Sequence, residues 1–202
     1  MNLPNKTLII IGVIILPFIL IFGSFYSFAY NEGFYMKSLD EKYEKNVNNL
    51  INYFLEKEDL KNYSEKDKMH LVDVKSLIDK VILTFYLLLG MLALILIYFL
   101  IYKNYKEIGY ILVFGFGFLA LILILLYFTD FDYLFLKFHF ISFNNDLWLL
   151  NPDESLLINI FNENFFMKFF YKILERAFLI GSILFLTGTY FFKRKQIKIR
   201  KI

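Results

Sequence analysis

Residues Ile108–Thr129 read IGYILVFGFGFLALILILLYFT, twenty-two positions without a charged side chain. About 20 apolar residues carry an α-helix across the hydrocarbon core of a bilayer, so this run predicts a transmembrane helix over 108–129. Further apolar runs predict helices over 7–30, 81–102 and 170–192; the last has an uncharged stretch, Ala177–Phe192, of only sixteen residues. Two polar blocks, 32–80 and 130–169, lie between them. The expected fold is an all-α integral membrane protein, one membrane domain over 1–202. It is a bundle of four transmembrane helices with two extracytoplasmic polar or amphipathic blocks.

Composition agrees. Hydrophobic residues make up 58% of the chain and aromatic ones 21%, against about 45–50% apolar in an ordinary soluble domain. The first apolar run is longer than the ~7–15-residue core of a secretory signal peptide. It is therefore read as an uncleaved helix, with a kink expected at Pro17. Segments 1–6, 103–107 and 193–202 together carry nine Lys/Arg and one acidic residue, whereas 32–80 and 130–176 carry thirteen Lys/Arg and eighteen acidic residues. Lys and Arg concentrated in short loops mark the cytoplasmic side. Both termini are thus expected in the cytoplasm of a multi-pass cell-membrane protein, with both polar blocks outside.

Within the first block, Leu39, Tyr43, Val47, Leu50, Ile51, Phe54 and Leu55 recur at spacings of three and four, the pattern of an amphipathic helix that packs on the bundle or lies on lipid. Ser38 with Glu41, and Ser64 with Asp67, read as capping boxes, with a turn around Asn62-Tyr63. The helix opened by Ser64 is expected to run unbroken through Tyr102, placing Asp67, His70 and Asp73 along one face. Residues 103–107 read as a five-residue connection. In the second block, Phe135–Phe143 fits neither helix nor strand by periodicity and is too short to cross a bilayer, so an interfacial or re-entrant segment is expected. Asn151-Pro152-Asp153 reads as a turn. Lys168, Lys172, Glu175 and Arg176 fall on one helical face, their charges snorkelling to the surface.

Chemistry is narrowed by what is missing. The absence of cysteine removes disulfides, thiolate metal sites and a Cys nucleophile. No phosphate-binding glycine loop, dinucleotide fingerprint, zinc-protease helix or serine elbow occurs. Two histidines are present, His70 in MHLVDVK and His139 in FHFISFNNDLWLLNP, the latter beside Asn144-Asn145-Asp146 and the single tryptophan, Trp148. An imidazole takes and gives protons near neutral pH. The two are expected to meet at one membrane surface, with Asp73 or Asp67 fixing the tautomer of His70. Ser142, three residues after His139, is read as a polar interface residue. A metal site built from both histidines and Asp73 or Asp146 is a rival reading that no ligand spacing asks for. A non-enzymatic sensor or complex subunit is another.

These residues carry a resemblance. HLVDVK (His70–Lys75), FHFISFNNDLWLLNP (Phe138–Pro152), Leu157-Ile158, Phe161, Glu163 and Phe165-Phe166 resemble the bacterial lipoprotein intramolecular transacylase (Lit) family of four-span membrane proteins. The likeness covers nearly the whole chain. It departs at Lys66-Asp67, where an Arg-Glu pair is commoner, at Ser155, where Asp is commoner, and at Asn162, where Pro is commoner. The resemblance implies an acyltransferase that moves the sn-2 acyl chain of a diacylglyceryl-Cys lipoprotein to its own N-terminal α-amine, leaving the lyso form. Donor and acceptor share one molecule, so no cofactor is implied. It further implies His70 and His139 as catalytic acid and base, with Asp73, Asp67, Lys75, Asn144, Asn145, Asp146 and Trp148 in support and no metal. The expected partners are a diacylated lipoprotein and membrane lipid, without nucleic acid. The enzyme is expected to be a monomer, with its active site at the outer leaflet.

Overall fold

A computed structural model describes residues 3–193, and they are all-helical, with no strand among them. The helices are α1 (Leu3–Ala29), α2 (Glu32–Ser38), α3 (Glu44–Phe54), α4 (Glu65–Ile101), α5 (Tyr105–Phe128), α6 (Phe131–Ser142), α7 (Leu156–Ile160) and α8 (Glu163–Lys193). A 3-10 turn, Glu41–Tyr43, precedes α3. Residues 194–202, which hold most of the basic tail, lie outside the described residues.

Among the described residues, three helices are long and apolar enough to cross a membrane: Asn5–Ala29, Glu65–Ile101 and Tyr105–Phe128. The expected fourth run forms the C-terminal part of α8 but does not join this set. Lys168, Lys172, Glu175 and Arg176 occupy the first half of α8, and Gly181, Ser182, Thr187, Gly188 and Thr189 dilute the rest. The hydroxyls of Ser182 and Thr187 bond back to the carbonyls of Phe178 and Ile183 at 2.8 and 3.0 Å, which satisfies them within the helix.

The described chain forms two compact units. One comprises the chain up to Ser24, Ile82–Phe128, and the chain from Leu174. Its centre is α5, and small residues set the spacing around it. A Cβ on Gly12 or Gly115 would meet Ile111 or Leu16, across α1 and α5. A Cβ on Gly109 would meet the backbone of Gly188 and Phe192, and one on Gly188 would meet Leu112 and Val113, across α5 and α8. Water gives helices in lipid no hydrophobic drive to associate, so close backbone approach at small residues supplies the contact. Phe99, Ile111 and Leu119 are fully buried there.

The other unit comprises Phe25–Val81 and Thr129–Ile173. Its centre is aromatic: Phe34 packs with Phe28, Phe165 and Phe169, and Tyr35 stacks on Phe165 at 5.6 Å. Helix α3 buries Val47, Leu50, Ile51 and Phe54 within this unit, so the amphipathic stripe is a packing face. Asn49 pins the following loop, donating to the Asp59 carbonyl at 2.9 Å and accepting from the Lys61 amide at 2.8 Å. The turn expected at Asn62 is present, with φ 64°.

Two local expectations are corrected. Ser38 closes α2 instead of opening a helix, and Asp40 caps the 3-10 turn through the Lys42 amide. The link between α4 and α5 is Tyr102–Asn104, shorter than expected, because Lys103 takes φ 56° and turns the chain sharply.

The α5–α8 contact yields a test. Gly109→Val forces a side chain against backbone, an overpacking that costs roughly 1–3 kcal/mol, and should lower the thermal stability of the protein in detergent. Gly117→Ala, whose Cβ meets nothing within 4 Å, should not lower it and should raise it slightly, since alanine favours the helix over glycine.

Candidate active site

The site is assembled on the first turns of α4. Ser64 caps that helix through the Asp67 amide at 3.1 Å, and Asp67 returns a bond to the Ser64 amide at 3.3 Å. The second expected capping box is therefore present, and His70 follows one turn later. Helix α4 has 37 residues, about 55 Å, so it outruns a hydrocarbon core of about 30 Å. Its charged first half has room to stand clear.

Three bonds stitch the loop 143–155 to α4. The Lys66 ammonium donates to the Leu149 carbonyl at 2.5 Å, the Ser155 hydroxyl to Asp67 Oδ1 at 2.5 Å, and the Asn145 amide to Asp73 Oδ2 at 2.9 Å. Asp67 is completely buried, and the short O–H···O contact is of the charge-assisted kind. Ser155 at the same time caps α7, accepting from the Ile158 amide.

His139 comes from α6, whose start is fixed by Asp130 accepting from the Tyr133 amide at 3.0 Å. The structure resolves the ambiguous stretch as helix up to Ser142. The rings of His70 and His139 lie 6.4 Å apart, inclined by 29°. Both are buried, at 6% and 8% exposure. Phe143 stands edge-on to His70 at 5.1 Å, while Trp148 covers His139 at 5.0 Å and Phe135 meets it at 4.4 Å. With centroids at this separation the nearest ring nitrogens are at least about 4 Å apart, too far for a direct hydrogen bond.

His139 Nδ1 lies 2.7 Å from the Phe135 carbonyl. A carbonyl only accepts, so Nδ1 carries the proton and Nε2 presents a lone pair. Burial pushes the His139 imidazole below its ordinary value, against the upward pull of that bond. His70 Nδ1 is buried without a hydrogen-bond partner.

Neither expected carboxylate bonds to His70. Asp67 is taken by Ser155 and the helix cap, and Asp73 by Asn145. Lys75 pairs with Glu56 at 2.7 Å and Asp79 at 3.4 Å. Asn144 and Asp146 are exposed in the loop. Ser155, Lys66, Phe135 and Phe143 are the contributors that spacing alone did not single out. Among the described residues there is no group of three or more His, Cys, Asp or Glu that could hold a metal ion.

The family profile described as "Lipoprotein intramolecular transacylase Lit" matches residues 5–166. The chain belongs to this family. Its activity class is accordingly that of an acyltransferase. The membrane-integral Lit of Bacillus cereus has the same fold, with a TM-score of 0.80 at 21% identity over 96% of this chain and 98% of that one. Two variants of that protein with one histidine replaced, by arginine and by alanine, match with a TM-score of 0.75 at 21% identity. The arginine variant covers 94% of this chain and 92% of its own, the alanine variant 94% of each. No curated protein matches by sequence.

The lowered affinity of His139 for protons links stability to pH. Below 6.5, the ordinary histidine value, the unfolded chain binds a proton that the folded chain refuses, so stability falls as pH drops until the folded value is reached. The melting temperature of the purified protein should decline on acidification through this window. His139→Phe, which keeps a ring in the site, should lessen that decline without removing it, because burial also lowers His70, to about 4; an unchanged slope would assign the decline to other groups.

Proposed function

We propose that the protein transfers the sn-2 acyl chain of a diacylglyceryl-Cys lipoprotein to the α-amine of the same cysteine, with His70 and His139 as acid and base. The observation that supports this most directly is the pair of buried imidazoles 6.4 Å apart, one with its tautomer fixed by the Phe135 carbonyl. The amine nitrogen attacks the ester carbonyl, an N–C bond forms, and the C–O bond to glycerol breaks. One proton leaves the ammonium so that it can attack. A second passes from the tetrahedral adduct's nitrogen to the departing alkoxide.

His139 Nε2 is suited to take a proton, because burial keeps the ring neutral where an exposed histidine would begin to charge. His70 faces the same small region and can relay a proton to the leaving oxygen. Amine and ester are a few bonds apart in the substrate, so holding them at the imidazoles removes most of the entropic cost. The Asn145–Asp73 and Lys66–Leu149 bonds position the loop that carries Trp148 against His139. Asn144 and Asp146, exposed in that loop, remain free to meet the substrate's polar head, and water near the rings is limited by Phe143 and Trp148.

In this reading the chain crosses the cell membrane four times, the last time in α8. The termini are cytoplasmic and the site stands at the outer leaflet, as the distribution of Lys and Arg supports. The substrate partners are a diacylated lipoprotein and its surrounding lipid.

His70→Ala and His139→Ala should each lower formation of lyso-lipoprotein by roughly 10²-fold or more, and the double variant by little more, since groups acting as one unit are non-additive. Mass spectrometry of lipoproteins from cells expressing each variant reads this directly. Near-normal turnover in either single variant removes that histidine from the reaction.

The native chain has no cysteine, so introduced cysteines report orientation cleanly. Cysteine at Asn48 or Asp153 should react with a membrane-impermeant maleimide added to intact cells, and cysteine at Asn104 should not. Protection at both Asn48 and Asp153 reverses the orientation.

A further inference from the structure

Helix α6 is apolar around most of its circumference, yet His139 is its one buried residue. Tyr133, Leu136, Phe138, Phe140 and Ile141 are exposed by between 45% and 82%. Met69 and Val72, on the turns of α4 that carry His70, are exposed too, as is Leu149 in the stitched loop. Soluble surfaces rarely show so many contiguous apolar side chains. At twelve residues α6 is about 18 Å long and cannot cross a bilayer.

The occupant of this face is indicated by charge and by connectivity. Thr129 and Asp130 alone separate α6 from α5, a helix apolar enough to cross a membrane. That leaves no length of chain to carry α6 clear of the bilayer edge. Lys137, the one lysine on α6, folds its stem back so that the ammonium lies 5.6 Å over the Tyr133 ring. Tyr133 and Lys137, one turn apart between the start and the middle of this apolar helix, form a pair that suits the headgroup level, with the aliphatic parts below it.

We propose that α6 lies in the outer leaflet as an interfacial helix, with Phe140 and Ile141 among phospholipid acyl chains and Lys137 at the phosphates, and that this immersion sets His139 at the depth of the glycerol esters. The second part rests on the reaction proposed above. An sn-2 ester sits just beneath the headgroups of its leaflet, and a histidine held in water above them would require the substrate to be lifted out. A lipid-seated helix brings the imidazole to the ester instead.

The single tryptophan provides the probe, because Trp148 lies 5.2 Å from Phe140 and 5.0 Å from His139. Full-length protein is reconstituted in phosphatidylcholine–phosphatidylglycerol vesicles whose acyl chains carry bromine near the glycerol end. Fluorescence should be quenched strongly by the brominated lipid and weakly by iodide in the water. Iodide quenching without lipid quenching overturns the immersion, even if the histidine variants are inactive. Protection from both quenchers also overturns it, since a protein partner or second copy would then cover α6. Ile141→Asp, at a position outside the catalytic machinery, should weaken lipid quenching and lower turnover about tenfold, as expected for a charge placed against lipid. Ile141→Leu should leave both unchanged. His70→Ala should abolish turnover while leaving the quenching intact. Full activity in Ile141→Asp overturns the role of depth.

Discussion

A carboxylate sealed from solvent must find its partners inside the protein or destabilise it. Asp67 does so through the Ser155 hydroxyl and the Ser64 amide, and the geometry of the site depends on that arrangement. The bond to Ser64 fixes where α4 begins and therefore where His70 stands. The bond to Ser155 holds the far end of the loop 143–155 and the start of α7. Lys66 and Asp73 hold the same loop at two further points. The acidic residue one turn before His70 thus acts on the scaffold and has no bond to the ring.

The polarity of the site is set by rings. Phe135, Phe143 and Trp148 surround the two imidazoles and keep them uncharged, while one backbone carbonyl replaces the carboxylate that orients histidine in a hydrolytic triad. A fixed carboxylate would raise the imidazole's proton affinity. A carbonyl orients it with less charge.

Much of this was legible in the sequence. Twenty-two uncharged residues at 108–129 admit little besides a membrane helix, and the unbroken run from Ser64 through α4 follows from a capping signal and continuous periodicity. The pairing of His70 with His139 was also expected, since both lie in polar blocks assigned to one side. Helix α6 was not legible. Apolar residues fill nearly all its faces, so no period stands out, and the lone buried position is a histidine. The partners of Asp67 and Asp73 were hidden for another reason. Helical spacing places both acids on the face of His70, but which hydrogen bond each makes is decided by a loop far along the chain. The short final apolar run fell between categories because its own helix carries five charged side chains in its first half.

The stitches around the site join residues 83, 88 and 72 positions apart. Such contacts are slow to form because a long intervening chain must first be brought into place. Here that chain includes α5, a membrane helix, so the site cannot be completed while translation has reached only α4. The nascent protein lacks the stitched histidine pair until the ribosome has passed Ser155. The arrangement that brings His70 and His139 together is thereby deferred through most of the protein's synthesis.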